Sequence, residues 1–295
     1  MKLDYLLLDV FTAERFKGNP LAVVLKADGL LDDEMQAIAA EFNLSETVFF
    51  VKPKSERNTA VRIFTPKVEL PFAGHPTVGA AVVLALNGKL SVARIEEKVG
   101  LVTATVERID KRTGAARFAL PKLPEVAGEA PGKTEIARAL GLAHEDIGCG
   151  EFQPAVYSAG NLFYLVPVRD AAALKRIERD HAVWTRTFPL ARHSVYVFTQ
   201  TRNEAGIDFA ARMFAPGMGL GEDPATGSAA AALIGLLAQH CGIESGQREY
   251  VLRQGYEIGR PSRIELQLLM AGGKLVHGGI GGRAIVVGQG VLDLD

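Results

Sequence analysis

Arg62-Ile-Phe-Thr-Pro66, followed by His75-Pro-Thr-Val-Gly-Ala-Ala81, returns later in the chain as Arg212-Met-Phe-Ala-Pro216 followed by Asp223-Pro-Ala-Thr-Gly-Ser-Ala229. The offsets are 150 and 148 residues. Two further matches keep the same order. Gly18-Asn19 before the run 21–25 recurs as Gly160-Asn161 before the run 162–166, an offset of 142. Thr47-Val-Phe-Phe-Val51 recurs as Ser194-Val-Tyr-Val-Phe198, an offset of 147. Four ordered matches at nearly one offset mark an internal duplication. Each half is then one domain of the same fold.

Working outward, the first half alternates strand and helix signals. Leu3–Val10, Leu21–Lys26, Thr47–Val51, Ala60–Phe64, Ile95–Val99, Val102–Val106 and Arg117–Leu120 read as strands. Leu30–Phe42 carries Met35, Ile38, Ala39 and Phe42 at helical spacing. Pro76–Leu86 reads as a helix with Pro in its first turn, where a missing N–H costs nothing. Its counterpart, Pro224–Gln239, is apolar nearly all round, which predicts burial on most sides. Between the halves, Pro121–Gly132 holds three Pro and two Gly and has no apolar period, the composition of a linker. The expected fold is α+β: residues 1–120 and 133–285 as two pseudo-symmetric domains, each a set of strands around a central helix, joined by residues 121–132. Two such domains leave a cleft, a usual place for a ligand.

Composition excludes several classes. The chain has 295 residues, 48% hydrophobic and 23% charged, enough to bury a sizeable core. Lys+Arg is 33 against Asp+Glu 34, so the basic excess of a dedicated nucleic-acid binder is missing. Cys149 and Cys241 are too few for a disulfide scaffold or a cysteine zinc site. The opening run contains Asp4 and Asp9 and so is no signal peptide. The most apolar later segment, Ala229–Ala238, is about ten residues, half of a membrane span. The expectation is a cytoplasmic protein with no nucleic-acid or membrane partner.

The chemistry is expected at the repeated motifs Gly74-His-Pro-Thr-Val-Gly79 and Gly221-Glu-Asp-Pro-Ala-Thr-Gly-Ser228. Each sets a polar residue before Pro at a helix start, where unpaired N–H groups and a partial positive charge favour an anion. Small residues let a ligand approach the backbone. Asp223 is also a natural N-cap, so plain capping competes with a functional role. The helix dipole disfavours an imidazolium at His75, which suits a neutral ring acting as donor or relay. Glu46, in Asn43-Leu-Ser-Glu-Thr47, is either a polar strand end or a carboxyl facing an apolar cleft, where desolvation raises a pKa toward the general acid/base range. Gly278–Gly282 reads as a β turn, because no helix pattern follows it as a dinucleotide loop requires. His181, His193, His240 and His277 show no metal-ligand spacing, so no metal is expected.

Together Gly18-Asn-Pro20, the segment around Glu46, the run from Arg62 through Ala81, and Gly221–Leu233 resemble the PhzF-like family, named for a phenazine-biosynthesis isomerase. The resemblance runs from Phe11 to about Val287. It implies the diaminopimelate-epimerase fold, with a β barrel around each central helix and the strand after about residue 285 packed on the first domain. It implies Glu46 as the proton-carrying acid/base, with His75 and Asp223 as partners, and Ser228 with backbone N–H groups near Gly74 and Gly227 holding a substrate carboxylate. It further implies a homodimer, no cofactor, and a suprafacial hydrogen shift. Related epimerases use two thiols; here Thr226 stands at the second thiol position and the first motif has no Cys. The expected function is therefore a cofactor-independent isomerase acting on a small carboxylate. A thiol-free epimerase or racemase and a non-catalytic carboxylate-binding protein are the alternatives, and the intact set Glu46, His75, Asp223 and Ser228 argues against decay of activity.

Overall fold

Alternating apolar segments at the start of the chain form β1 (Lys2–Val10), β2 (Asn19–Val24), α1 (Asp32–Phe42), β3 (Glu46–Val51), β4 (Thr59–Phe64), β5 (Glu69–Leu70), α2 (Gly74–Asn87), β6 (Val92–Glu97), β7 (Gly100–Arg108) and β8 (Thr113–Ala119). There follow β9 (Glu125–Val126), α3 (Lys133–Leu140), β10 (Ala155–Ser158), β11 (Leu162–Pro167), α4 (Ala171–Arg176), α5 (His181–Thr187), β12 (Val195–Gln200), β13 (Phe209–Ala215), β14 (Leu220–Asp223), α6 (Gly227–His240), β15 (Gly246–Gln254), β16 (Ser262–Ala271) and the long β17 (Lys274–Asp293). The structure is a computed structural model describing residues 1–88, 90–190, 194–201, 206–218 and 220–294. Two units separate by their contacts: Met1–Pro121 with Ile280–Asp295, and Lys122–Gly279.

In the first unit β1 pairs antiparallel with β2, β2 parallel with β3, β3 antiparallel with β4, β4 parallel with β6, and β6, β7 and β8 pair antiparallel in turn. β17 pairs with both β8 and β1, which closes the ring around α2. A parallel pair needs a crossover connection, and α1 and α2 supply the two that this order demands. α2 is buried through Val78, Ala80, Ala81, Val82, Val83 and Ala85. Gly79 lets it sit against β2: a Cβ there would lie 2.3 Å from Leu21 Cδ2.

The second unit repeats the succession. β10 pairs antiparallel with β11, β11 parallel with β12, β12 antiparallel with β13, β13 parallel with β15, and β15 antiparallel with β16. α4 and α5 occupy the crossover that α1 makes in the first unit, and α6 takes the place of α2. α6 is buried from Ala229 to Leu237, packed on β10, β11 and β16.

The repeated Arg-x-Phe is structural. Arg62 lies over the Phe64 ring at 5.0 Å and donates from Nε to Glu69 at 2.9 Å. Arg212 lies over Phe214 at 4.9 Å and donates from Nε to Glu222 at 2.9 Å. The pair clamps β4 to β5 and β13 to β14 in the same way.

Three expectations need correction. The second helix starts at Gly227 rather than Pro224, and its N-cap is Thr226, so Asp223 does not cap it. The residue before Pro is pushed out of the helical region, and Asp223 accordingly ends β14. Pro121–Gly132 is not bare linker, since Val126 of β9 pairs with Tyr157 of β10. Gly278–Gly282 is no turn but lies within β17. A Cβ at Gly281 would stand 3.0 Å from Arg117 Cβ and 3.2 Å from Ala116 O, so Gly281 serves close strand approach. The helices α3, α4 and α5 were not among the expected elements.

Candidate active site

Glu46 begins β3, and its Oε2 lies 3.3 Å from His75 Nδ1 in the first turn of α2. Both are buried, at 9% and 4% exposure. β3 runs parallel to β2 with Glu46 opposite Leu21, so Asn19 at the start of β2 comes to the same place. Asn19 Nδ2 lies 3.3 Å from His75 Nδ1. Asn19 is delivered by Gly18, whose φ of +64° and 2.3 Å clearance to Val10 O exclude a side chain. Burial pushes the His75 pKa down to about 3, so the ring is neutral. The Glu46–His75 contact is therefore a hydrogen bond rather than an ion pair, and it needs one proton held between the two groups. His75 Nε2 is buried and has no hydrogen-bond partner among the described residues.

Two residues further along α2, the Thr77 hydroxyl lies 2.7 Å from Ala73 O and 2.7 Å from Glu97 Oε1. A hydroxyl has one proton, and the carbonyl can only accept it. Glu97 must then be the donor to Thr77, which requires its carboxyl to be protonated. Burial does this, raising the Glu97 pKa to about 8.

In the second unit Asp223, buried, ends β14 three residues before the Thr226 N-cap. Thr226 Oγ1 donates to Asp223 Oδ2 at 2.5 Å. Gly227 and Ser228 are the first two residues of α6, and Gly74 is the first of α2. Neither helix start has a side-chain cap, since Ala73 has no acceptor and Thr226 uses its hydroxyl elsewhere. The N-cap side chains therefore do not occupy the first-turn N–H groups at either start. Cys149 is a buried free thiol with Sγ 3.6 Å from Thr199 Oγ1, and Cys241 follows α6 with Sγ donating to Ala238 O.

The expected set thus falls into two groups: Glu46, His75 and Gly74 in the first unit, and Asp223, Gly227 and Ser228 in the second. The structure adds Asn19, Thr77 and Glu97 to the first group and Tyr196, Thr226 and Gln254 to the second. Asn19, Thr77, Tyr196 and Thr226 lie in the repeated motifs, whereas Glu97 and Gln254 carried no sequence signal. Among the described residues no group of three or more His, Cys, Asp or Glu is arranged around a metal position; His193 lies outside them. No helix of the described residues is long and apolar enough to cross a membrane.

Two like units, each with strands around a central helix, define the diaminopimelate-epimerase-like α+β class. A hydroxyproline epimerase from Agrobacterium vitis shares this fold at a TM-score of 0.64 and 14% identity, over 100% of this chain and 92% of that one. The model of the phenazine biosynthesis-like protein family matches residues 8–290, and the chain belongs to that family. It is similar to an uncharacterized isomerase of Mesorhizobium japonicum, 44% identical over 98% of both chains. It is also similar to the trans-2,3-dihydro-3-hydroxyanthranilate isomerase of Pseudomonas aeruginosa, 35% identical over 97% of this chain and 98% of that one. The crystal structure of the Bacillus anthracis phenazine biosynthesis protein of the PhzF family superposes with a TM-score of 0.88 at 25% identity, covering 100% of both chains. The protein is an enzyme of the isomerase class.

Proposed function

We propose that this isomerase moves a proton between two carbons of a small carboxylate substrate, without a cofactor. Glu46 takes the proton from a carbon made acidic by conjugation. The electron pair enters the substrate's π system, and Glu46 returns the proton to a second carbon on the same face. One C–H bond breaks, one forms and the double bonds shift, so the step balances within the substrate.

The observation that carries this reading is the buried Glu46–His75 contact at 3.3 Å. A neutral imidazole can accept the proton of a carboxylic acid or donate to a carboxylate, so it supports Glu46 in both states of the cycle. The Nε2 of His75, without a partner among the described residues, is a buried polar atom that a substrate group satisfies. The uncapped starts of α2 and α6, with Gly74, Gly227 and Ser228, offer N–H groups and a hydroxyl to the substrate carboxylate. Asp223 is assigned to orient the substrate beside it. The isomerases named for trans-2,3-dihydro-3-hydroxyanthranilate supply the substrate class, a cyclic conjugated carboxylate. The homodimer and cytoplasmic location expected from the family resemblance belong to the same proposal.

The test is incubation with trans-2,3-dihydro-3-hydroxyanthranilate in D2O, followed by proton NMR. Double-bond migration that is lost in Glu46→Gln supports the reading. Inversion at one carbon with the double bonds in place would establish an epimerase instead, and full activity of Glu46→Gln would remove Glu46 from the chemistry.

A further inference from the structure

Four polar side chains are buried together beneath the start of α6: Tyr196 on β12, Gln254 at the end of β15, Thr226 and Asp223. Gln254 is 1% exposed. Its Oε1 lies 3.1 Å from Thr226 N and 3.0 Å from Tyr196 Oη, while its Nε2 lies 2.8 Å from Asp223 O and 3.0 Å from Thr226 Oγ1. A backbone N–H can only donate and a backbone carbonyl can only accept, so the amide has a single possible orientation. Every other proton then has one direction. Tyr196 donates to Gln254 Oε1, Gln254 donates to Thr226 Oγ1, and the Thr226 hydroxyl proton is directed to Asp223 Oδ2 at 2.5 Å. Burial, followed by the negative charge of Asp223, holds the Tyr196 phenol well above its ordinary pKa, so it remains a donor.

The first unit shows what this arrangement does when it is only structural. β4 pairs with β6 as Thr59↔Ile95 and Ala60↔Glu96, and β13 pairs with β15 as Phe209↔Leu252, Ala210↔Arg253 and Ala211↔Gln254. At the repeat offset that matches Arg62 with Arg212, Gln254 and Glu97 occupy the same register position. Each reaches a Thr hydroxyl at the start of the central helix. In the first unit that hydroxyl turns to the Ala73 carbonyl and locks backbone; in the second it turns to a carboxylate. A threonine at an N-cap ordinarily accepts from a helix N–H, and Thr226 does not.

We propose that Tyr196, Gln254 and Thr226 are positioning residues that form a one-way hydrogen-bond chain fixing Asp223 as an oriented acceptor. On this assignment Asp223 holds the substrate in line, and Glu46 alone carries the proton. The inference rests on the function proposed above in taking Asp223 as a site residue.

The experiment compares wild type with Asp223→Asn, Thr226→Val, Thr226→Ser and Tyr196→Phe. Two readouts are used: steady-state kinetics on trans-2,3-dihydro-3-hydroxyanthranilate, and the carboxyl resonance of Asp223 in protein labelled with 13C at Asp Cγ. The Asp223→Asn spectrum assigns that resonance. Thr226→Val, nearly isosteric, is expected to lower kcat roughly 10- to 100-fold, the weight of one charge-assisted hydrogen bond, with KM within about threefold. Thr226→Ser restores kcat relative to Thr226→Val because it keeps the hydroxyl. Tyr196→Phe, two bonds removed, shifts the Asp223 resonance in the same direction as Thr226→Val by a smaller amount. A structural role confined to α6 would lower thermal stability and leave that resonance in place. If Thr226→Val and Tyr196→Phe leave both kcat and the resonance at their wild-type values, the proposal is overturned. If the wild type turns nothing over while the resonance moves as expected, the chain stands and the proposed function falls.

Discussion

Glu97→Gln gives a test in which the structure fixes both sign and size. Glu97 is 8% exposed, has its Oε2 buried without a partner among the described residues, and donates through its proton to Thr77. Its pKa rises from 4.5 to about 8 because burial penalises the charged form. Below pH 4.5 folded and unfolded chains both carry the proton, and the stability is complete. Above that value the unfolded chain releases the proton and the folded chain keeps it, so stability falls by about 1.4 kcal/mol per pH unit until the folded group itself ionises. At pH 7 the loss reaches about 3 kcal/mol as an upper figure. Glutamine carries the donor without the ionisation, and it stands at the register-equivalent position as Gln254. Glu97→Gln is therefore expected to be more stable than wild type by roughly 1–3 kcal/mol at pH 7, with the gain vanishing near pH 4.5 and levelling off above pH 8. His75 contributes the opposite slope. Its pKa is lowered from 6.5 to about 3, so its contribution is present above 6.5 and is lost as the pH falls. Both proteins keep His75, so it cancels in the difference. Urea unfolding followed by far-ultraviolet circular dichroism at pH 4.5, 6, 7 and 8.5 measures the gain. A difference independent of pH, or a variant less stable than wild type at pH 7, refutes a protonated Glu97.

Glu46→Gln is expected to fold, to bind carboxylates and to lose about 10²–10⁴-fold in kcat, the weight of a general acid/base, as read from turnover with binding measured separately. Ser228→Ala, which removes the hydroxyl from the first turn of α6, should raise KM more than it lowers kcat; an unchanged KM would take Ser228 out of substrate binding. Nitrogen-15 NMR of the imidazole should show His75 neutral down to about pH 4, and a normal titration near 6.5 would contradict its burial. Leu233→Ala, in the fully buried face of α6, should cost about 2–5 kcal/mol in a chemical unfolding experiment, and a cost under 1 would mean that the helix is not the centre of its unit.

The duplication was readable in the sequence because its carriers are local. Arg-x-Phe needs only a strand to bring Arg62 over Phe64, and His75-Pro and Asp223-Pro each announce a helix start within a few residues. The apolar runs at 78–85 and 229–237 announce burial by themselves, since a helix without a polar face has no stable exposed side. His75 was marked by its place in such a motif, whereas the roles expected of Glu46 and Ser228 came from the family resemblance. The start of α6 at Gly227 was not, because Pro is tolerated in a first turn and Asp caps well; the contacts of Thr226 with Asp223 and Gln254 decided against Asp223. The role of the flat Gly278–Gly282 run was likewise set by how closely β17 approaches Arg117. Glu97 and Gln254 gave no signal in their own segments. Their equivalence appears only in the pairing of β6 with β4 and of β15 with β13. A hydrogen bond between residues 28 or 58 positions apart, such as Gln254 with Thr226 or with Tyr196, leaves no periodicity in either segment. Chain propensity and hydrophobic spacing are local quantities and determined the repeated fold; the protonation and orientation of the buried polar groups depend on which distant atoms the fold sets beside them, and tertiary structure alone decided those.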